Sequence, residues 1–134
     1  MKMLRYIALL TFALWIGVGE LAAQAPNNAV LNEATESLIY ADANRIARLF
    51  SQRVEITING RSQLYDRTQA KLVIARFFKE NPPVGGFTVK HKGNSGNTLY
   101  ALGTYRSAKG KYDVNLYFRF SNNNSRLSEI RFDM

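Results

Sequence analysis

Between Lys111 and Ser121 the chain alternates strictly, with Tyr112, Val114, Leu116, Phe118 and Phe120 on one phase and Lys111, Asp113, Asn115, Tyr117 and Arg119 on the other. A period of two residues gathers those five large apolar groups on one side, so the segment is a strand with one buried face. Such a strand is not stable alone. It needs paired neighbours and an amphipathic layer over its apolar side. The flanking sequence supplies the neighbours. Phe87 to Lys92, Thr98 to Ser107 and Arg126 to Asp133 read as further strands, with turns at Gly93 to Asn97, Lys109-Gly110 and Asn122 to Ser125. Ile130 and Phe132 face inward on the last strand. The phase of Thr98 to Ser107 stays open: Leu99, Ala101, Gly103 and Tyr105 form one defensible inner set, and Tyr100, Leu102, Thr104 and Arg106 the other.

The cover comes from the preceding residues. Val30, Leu31, Ala34, Leu38 and Ile39 recur at helical spacing behind a cap at Asn27 or Asn28. Asp42 is placed to cap a second, shorter helix, with Ile46, Leu49 and Phe50 facing inward and Arg45 and Arg48 facing water. The period then changes to two: Val54, Ile56 and Ile58 alternate with Glu55 and Thr57. Asn59-Gly60 tolerates the positive φ angles of a tight hairpin, and Arg61 to Tyr65 returns as a more polar strand. Asp66 with Gln69 resembles a capping box. A third helix follows over Arg67 to Glu80, with Ala70, Val73, Ile74, Phe77 and Phe78 on its buried face. Asn81-Pro82-Pro83 stops it, because proline cannot donate to the helix ladder. Helices placed ahead of a run of antiparallel strands make an α+β domain.

A segment of another kind precedes this domain. Lys2 and Arg5 make a basic opening, Ile7 to Val18 is an uncharged, mostly apolar run of twelve residues, and Leu21-Ala22-Ala23 ends on small residues. That is the layout of a secretory signal peptide. The run is shorter than the roughly 20 apolar residues of a membrane span, and Gly17, Gly19 and Glu20 close it. Cleavage after Ala23 leaves Gln24 first. Cleavage after Ala25 would leave Pro26 there, which peptidases tolerate poorly. The expected division is a signal peptide over 1–23 and a single domain over 24–134. The protein is then exported, periplasmic or extracellular, with no stable membrane span after cleavage. Exported small domains often lean on disulfides. This chain has no cysteine, so packing alone must hold a domain of this size.

The order of elements resembles the nuclear transport factor 2-like fold, the cone-shaped α+β fold shared with ketosteroid isomerases. More narrowly, the chain resembles a family of small exported bacterial proteins known only as a domain of unknown function. The residues that carry the likeness are Ala47-Arg48-Leu49-Phe50, Val54-Glu55-Ile56-Thr57-Ile58 and Phe77-Phe78-Lys79-Glu80-Asn81-Pro82-Pro83. His91-Lys92-Gly93-Asn94-Ser95 and Tyr100-Ala101-Leu102-Gly103-Thr104 extend it over nearly all of residues 24–134. The resemblance implies a nuclear transport factor 2-like cone, with three N-terminal helices packed on a curved, mostly antiparallel sheet. It brings no catalytic residue, since a fold alone confers no activity.

Catalytic constellations are scarce. Zinc sites draw on clustered Cys and His, and the chain has one His and no Cys. No alternating acidic loop suits calcium, and neither a metal nor a cofactor is implied. Ser95 lies in a hairpin turn, not in a strand-to-helix serine elbow, and His91 is the only imidazole to serve it. Gly85-Gly86 lacks the downstream Lys-Ser or Lys-Thr of a phosphate-cradling loop. An isomerase-like or lyase-like enzyme using the cone pocket needs a carboxylate base inside it. The assignable inward positions are apolar or aromatic, Asp113, Glu129 and Glu55 fall on the other phase, and only His91, in phase with Phe87 and Val89, remains.

Two binding readings follow. Tyr40, Tyr65, His91 and Tyr112 are candidates to line the open end of the cone around a small apolar ligand; the same rings also fit a core with wet hydroxyls. The other reading uses the outer sheet face, where Lys90, Lys92, Asn115, Tyr117, Arg119 and Arg131 share a phase. Basic residues with an aromatic suit an anionic polymer, and the face equally suits a solvated surface or a homodimer through the sheet. Lys and Arg outnumber Asp and Glu by 18 to 10, for a net charge of +8, which favours anionic partners. There is no block of consecutive Lys or Arg, and Asp113 and Glu129 interrupt the patch. The expectation is an exported, non-catalytic binding or structural domain.

Overall fold

The computed structural model describes residues 21–134, with side chains from Ala29 onward. Apart from its last three residues, the expected signal peptide lies outside the described residues. Those three belong to helix α1, Leu21–Ile39. The helix thus starts ahead of the expected cap at Asn27 or Asn28 and runs through Pro26. Among the described residues, no helix is long and apolar enough to cross a membrane.

Leu31, Ala34 and Leu38 of α1 are buried in one stripe, and Ser37 lies beside them. The Ser37 hydroxyl donates to the Glu33 carbonyl at 2.7 Å, which satisfies it inside the core. The helix closes on two reversed bonds, from the Ala41 amide to the Leu38 carbonyl and from the Asp42 amide to the Ser37 carbonyl. This Schellman turn puts Ala41 at φ 50°, where glycine is usual. Asp42 then caps α2, Ala43–Ala47, by accepting from the Arg45 amide at 3.0 Å. Arg45, expected to face water, reaches back to α1 instead. Its Nε and Nη2 donate to the Glu33 carboxylate at 2.9 and 2.8 Å, and Nη2 also donates to Glu36. Those bonds hold the Glu33 carboxyl below the usual carboxylate range.

Phe50, read from sequence as the last inward residue of the second helix, is the first residue of β1, Phe50–Ile58. Asn59 and Gly60, at φ 48° and 84°, turn the chain into β2, Arg61–Asp66. Asp66 caps α3, Arg67–Glu80, accepting from the Gln69 amide at 2.8 Å. The third helix therefore follows the first hairpin. Four antiparallel strands complete the chain: β3, Pro83–Ser95; β4, Thr98–Ser107; β5, Gly110–Ser121; and β6, Asn124–Asp133. The six strands form one curved sheet in the order β2-β1-β6-β5-β4-β3. All neighbours are antiparallel except β1 and β6, which run parallel. Helix α1 packs on β3, β4 and β6, α3 packs on β1 and β2, and α2 packs against both helices.

Pairing settles the open phase of β4. Leu99, Ala101 and Tyr105 lie opposite Phe118, Leu116 and Tyr112, and all six are buried. Gly103 completes the inner row. A Cβ there would fall 2.5 Å from the Phe87 ring and from the Thr88 carbonyl oxygen, so the close passage of β3 depends on glycine at this position.

Asn81, the residue after α3, joins the layers. Its amide and its Nδ2 both donate to the Phe77 carbonyl, at 2.9 and 3.0 Å. Its Oδ1 accepts from the Tyr112 hydroxyl at 2.9 Å, and its carbonyl accepts from the Tyr105 hydroxyl at 2.7 Å. Around it, Phe77 stacks on Phe132 with ring centroids 4.0 Å apart and meets Tyr112 edge-on at 5.1 Å. Burial, with Tyr112 adding to it, pushes the Tyr105 hydroxyl up to about 12. A buried polar group stripped of its partner costs about 1–3 kcal/mol. Asn81→Ala, which leaves the Tyr112 hydroxyl unpaired, is expected to lower unfolding free energy by about 2 kcal/mol in urea melts. Tyr105→Phe, which frees only a carbonyl, is expected to cost about 1 kcal/mol. Equal stability of Asn81→Ala and the parent would remove Asn81 from this role.

Candidate functional site

Strand β3 changes phase halfway along. Val89 lies opposite Gly103, but His91 lies opposite Leu102 and Lys92 opposite Ala101, so one extra residue sits between Val89 and His91. This β-bulge turns the strand over. Two sequence expectations are corrected by it. His91 does not follow Phe87 and Val89 into the inner face; it shares the outer face with Tyr100, with ring centroids 5.7 Å apart and Nε2 at 3.5 Å from the Tyr100 hydroxyl. Lys92 leaves the outer row and comes into register with the fully buried Ala101. The Tyr100 ring also crosses Gly93, where a Cβ would meet its hydroxyl at 2.5 Å.

The bulge opens a groove of about 530 Å³ between α1 and β3. Leu31 and Val89 supply its apolar surface, Asn32 and Thr35 its polar wall, and Lys90 and Lys92 its cationic rim, with His91 beside them. Leu31 is buried and Val89 half-buried, while Asn32, Lys90, His91 and Lys92 are exposed. Thr35 is held in place by its own hydroxyl, which donates to the Leu31 carbonyl at 2.8 Å. The sequence reading named Lys90, His91 and Lys92 in two other roles, a cone pocket and an outer face, and missed the α1 side of this groove. Its one legible signal was Thr35 standing a single turn beyond Leu31 on the buried stripe.

The four aromatic candidates do not converge. Tyr40 is 72% exposed at the end of α1. Tyr65 is half-buried on β2, at one edge of the sheet, and its hydroxyl donates to Gln63 at 3.2 Å. His91 is on β3, the opposite edge. Tyr112 is inside the core, bonded to Asn81. The four cations expected on the outer face also separate. Lys90 sits at the bulge, Lys92 faces the other way, and Arg119 lies at the far end of β5.

Arg131 stays on the outer face in acidic company. Glu55 on β1 and Glu129 on β6 are directly opposite across the parallel pair, two positions along from Thr57 and Arg131 on the same face. Thr57 is buried there and shares a hydrogen bond with Ser62. Arg131 Nε stands 3.8 Å from Asp133, too far for a hydrogen bond. Partial burial, and then the Glu55 charge, raise the Glu129 carboxyl above its ordinary range, with Arg131 opposing. Among the described residues, no group of three or more His, Cys, Asp and Glu side chains is placed to hold a metal ion.

Comparison with known proteins gives a consistent picture. Residues 31–133 match a family described as a domain of unknown function, DUF4783. A DUF4783 family protein from Bacteroides fragilis YCH46, solved by crystallography, is 29% identical and superposes with a TM-score of 0.71 over 75% of this chain and 94% of its own. A second from Bacteroides ovatus ATCC 8483 is 24% identical, with a TM-score of 0.72 over 75% and 91%. An NTF-2 like protein of unknown function from Burkholderia xenovorans LB400 shares the fold at 14% identity, with a TM-score of 0.63 over 83% and 85%. No curated protein matches the chain.

The paired carboxylates on the outer face give a pH prediction. Because the Glu129 carboxyl is raised in the folded state, its protonated form favours folding. That contribution is fully present below the unfolded carboxyl value and is lost as pH rises through the raised one. Glu129→Gln is therefore expected to be about 0.5 kcal/mol more stable than the parent at neutral pH, a small gain because water screens the pair. The difference should vanish in acid, read from thermal melts across the carboxyl range. A variant less stable than the parent at neutral pH would refute the assignment.

Proposed function

The chain belongs to the DUF4783 family, and from that premise we propose that it is an exported, non-catalytic binding domain. The curved sheet, in this reading, is the wall of a cone that its own side chains fill, and ligand is taken at the groove between α1 and β3. The observation that carries the reading is the commitment of the interior polar groups. Tyr105 and Tyr112 both donate to Asn81, Ser37 to the Glu33 carbonyl and Ser107 to the Gly110 carbonyl. The other buried polar residues described, Thr57 and Thr104, lie on the outer phase, Thr104 with an unpartnered hydroxyl, and none of these residues is an acid. Isomerase-like or lyase-like chemistry needs a carboxylate base inside; Glu55, Asp113 and Glu129 stand on the outer face. Export rests on the basic, apolar and small-residue layout of residues 1–23.

The groove suits a small ligand with an apolar body and an anionic head. Leu31 and Val89 offer the body a dry surface, Asn32 and Thr35 offer hydrogen bonds, and Lys90 and Lys92 meet the head. Amide shifts during titration with straight-chain and aromatic carboxylates test this. The largest shifts are expected at Leu31, Thr35 and Val89. The pair Lys90→Glu and Lys92→Glu is expected to weaken binding about tenfold, since two exposed charge contacts are each worth up to about 1 kcal/mol. Shifts centred elsewhere, or binding indifferent to the double reversal, would end the reading. Export has its own check: protein recovered outside the cytoplasm should begin at Gln24.

A further inference from the structure

Strand β6 carries a second bulge with a different consequence. Tyr117 lies opposite Glu129, but Phe118 lies opposite Leu127 and Arg119 opposite Arg126, so Ser128 is the extra residue. Its hydroxyl donates to the Tyr117 carbonyl at 3.1 Å. Without the bulge, Leu127 would face Arg119 and Arg126 would face Phe120. With it, Leu127 is fully buried beside Phe118, and two arginines stand directly opposite each other on one face. Like charges in that position destabilise a sheet.

A third guanidinium joins them. Arg67, the first residue of α3, lines with Arg119 and Arg126 a cleft of about 300 Å³. Ser51, Ser121 and Asn124 add hydroxyl and amide groups, and among the described residues no carboxylate lines it. Arg67 also lines an adjoining cleft of about 570 Å³, together with Arg48, Lys71, Asn44 and Thr68. Arg126 is fixed by donating from Nη1 to the Arg48 carbonyl at 2.8 Å, which ties the two clefts together. Among the described residues, the ion pairs involve Arg45 and Arg131, and none of the five cations of these clefts. Asp66, the residue before Arg67, is committed to the cap of α3, while Arg48 lies close enough to Glu33 to help lower its carboxyl.

We propose that these joined clefts are a binding site for a ligand carrying at least two neighbouring phosphate groups. Guanidinium forks match tetrahedral oxyanions bidentately, and with the Asp66 carboxylate already capping α3 the positive field comes from the side chains. Arg67, shared by both clefts, sits between two such groups. The site shares no residue with the groove between α1 and β3, and it stands or falls independently of it.

The probe is inorganic tripolyphosphate, titrated calorimetrically into protein purified after expression of the full chain. Vesicles of phosphatidylcholine with and without phosphatidic acid form a parallel arm. Tripolyphosphate is expected to bind tighter than monophosphate, to weaken with added salt, and to raise Tm. Arg67→Ala and Arg119→Ala should each weaken it about tenfold or more, whereas Arg76→Ala, the same charge change on the exposed side of α3, should not. Without ligand, Arg119→Ala should leave Tm unchanged or raise it by roughly 2–4 °C, because it relieves the facing charges. Binding of both tripolyphosphate and acidic vesicles, each lost in Arg119→Ala, would place the phosphates on a lipid headgroup; binding of tripolyphosphate alone would place them on a soluble ligand. Binding only to vesicles, no binding at all, or an equal loss in Arg76→Ala would overturn the proposal.

Discussion

Asn81 holds the two layers of this domain in register. It ends α3 and accepts hydroxyls from two neighbouring strands while both its donors return to Phe77. Each of those partners is buried. The arrangement therefore fixes where the helix must stop relative to Tyr105 and Tyr112, because a shift by one residue would strand three polar groups away from water. Dispersion and apolar burial supply the larger energy, with rings such as Phe77 and Phe132 each worth about 1.5–3 kcal/mol on burial. Burial is not directional. Asn81 supplies the direction, and Pro82-Pro83 ensures that α3 cannot run past it.

Much of this was legible in the sequence, for a plain reason. Strand β5 announces its faces through Tyr112, Val114, Leu116 and Phe118, all buried, though the alternation also counted Phe120, which is exposed at the strand's end. Asp66 and Asn59-Gly60 announce a cap and a hairpin through side chains suited to those φ angles. The phase of β4 was not legible, since Leu99, Ala101 and Tyr105 compete with Tyr100 and Leu102 and only pairing with β5 decides. Phe50 was misplaced because a buried phenylalanine fits a helix end and a strand start equally well. Arg45 was read as solvated because its partners Glu33 and Glu36 lie on another helix.

The candidate sites were harder to read, and the bulges explain why. A bulge adds one residue without a distinctive side chain: Lys90 and Ser128 are ordinary strand residues. Each one inverts the alternation beyond it. Counting by twos from Phe87 puts His91 inside and Lys92 outside, and both are reversed. Counting by twos back from Ile130 puts Ser128 and Arg126 on the buried phase, yet Leu127 is the buried residue and Arg126 joins Arg119. An error of one residue put His91 and Lys92 on the wrong faces.

These two inversions have a common physical logic. A sheet with one face under helices has its apolar residues committed along the middle of each strand, where α1 and α3 lie. Side chains able to meet a ligand are left at seams: the edge strand β3 beside α1, and the strand ends beside the start of α3. A bulge at a seam releases a few residues from the alternation that burial imposes elsewhere. At β3 it turns a lysine toward a groove with an apolar floor. At β6 it sets two arginines face to face, a disposition that packing alone would not favour. Because Leu127 must be buried opposite Phe118 for the core to close, the cost of the facing arginines is locked in by the same residue that completes the core, and a counter-anion is the simplest means of relieving it.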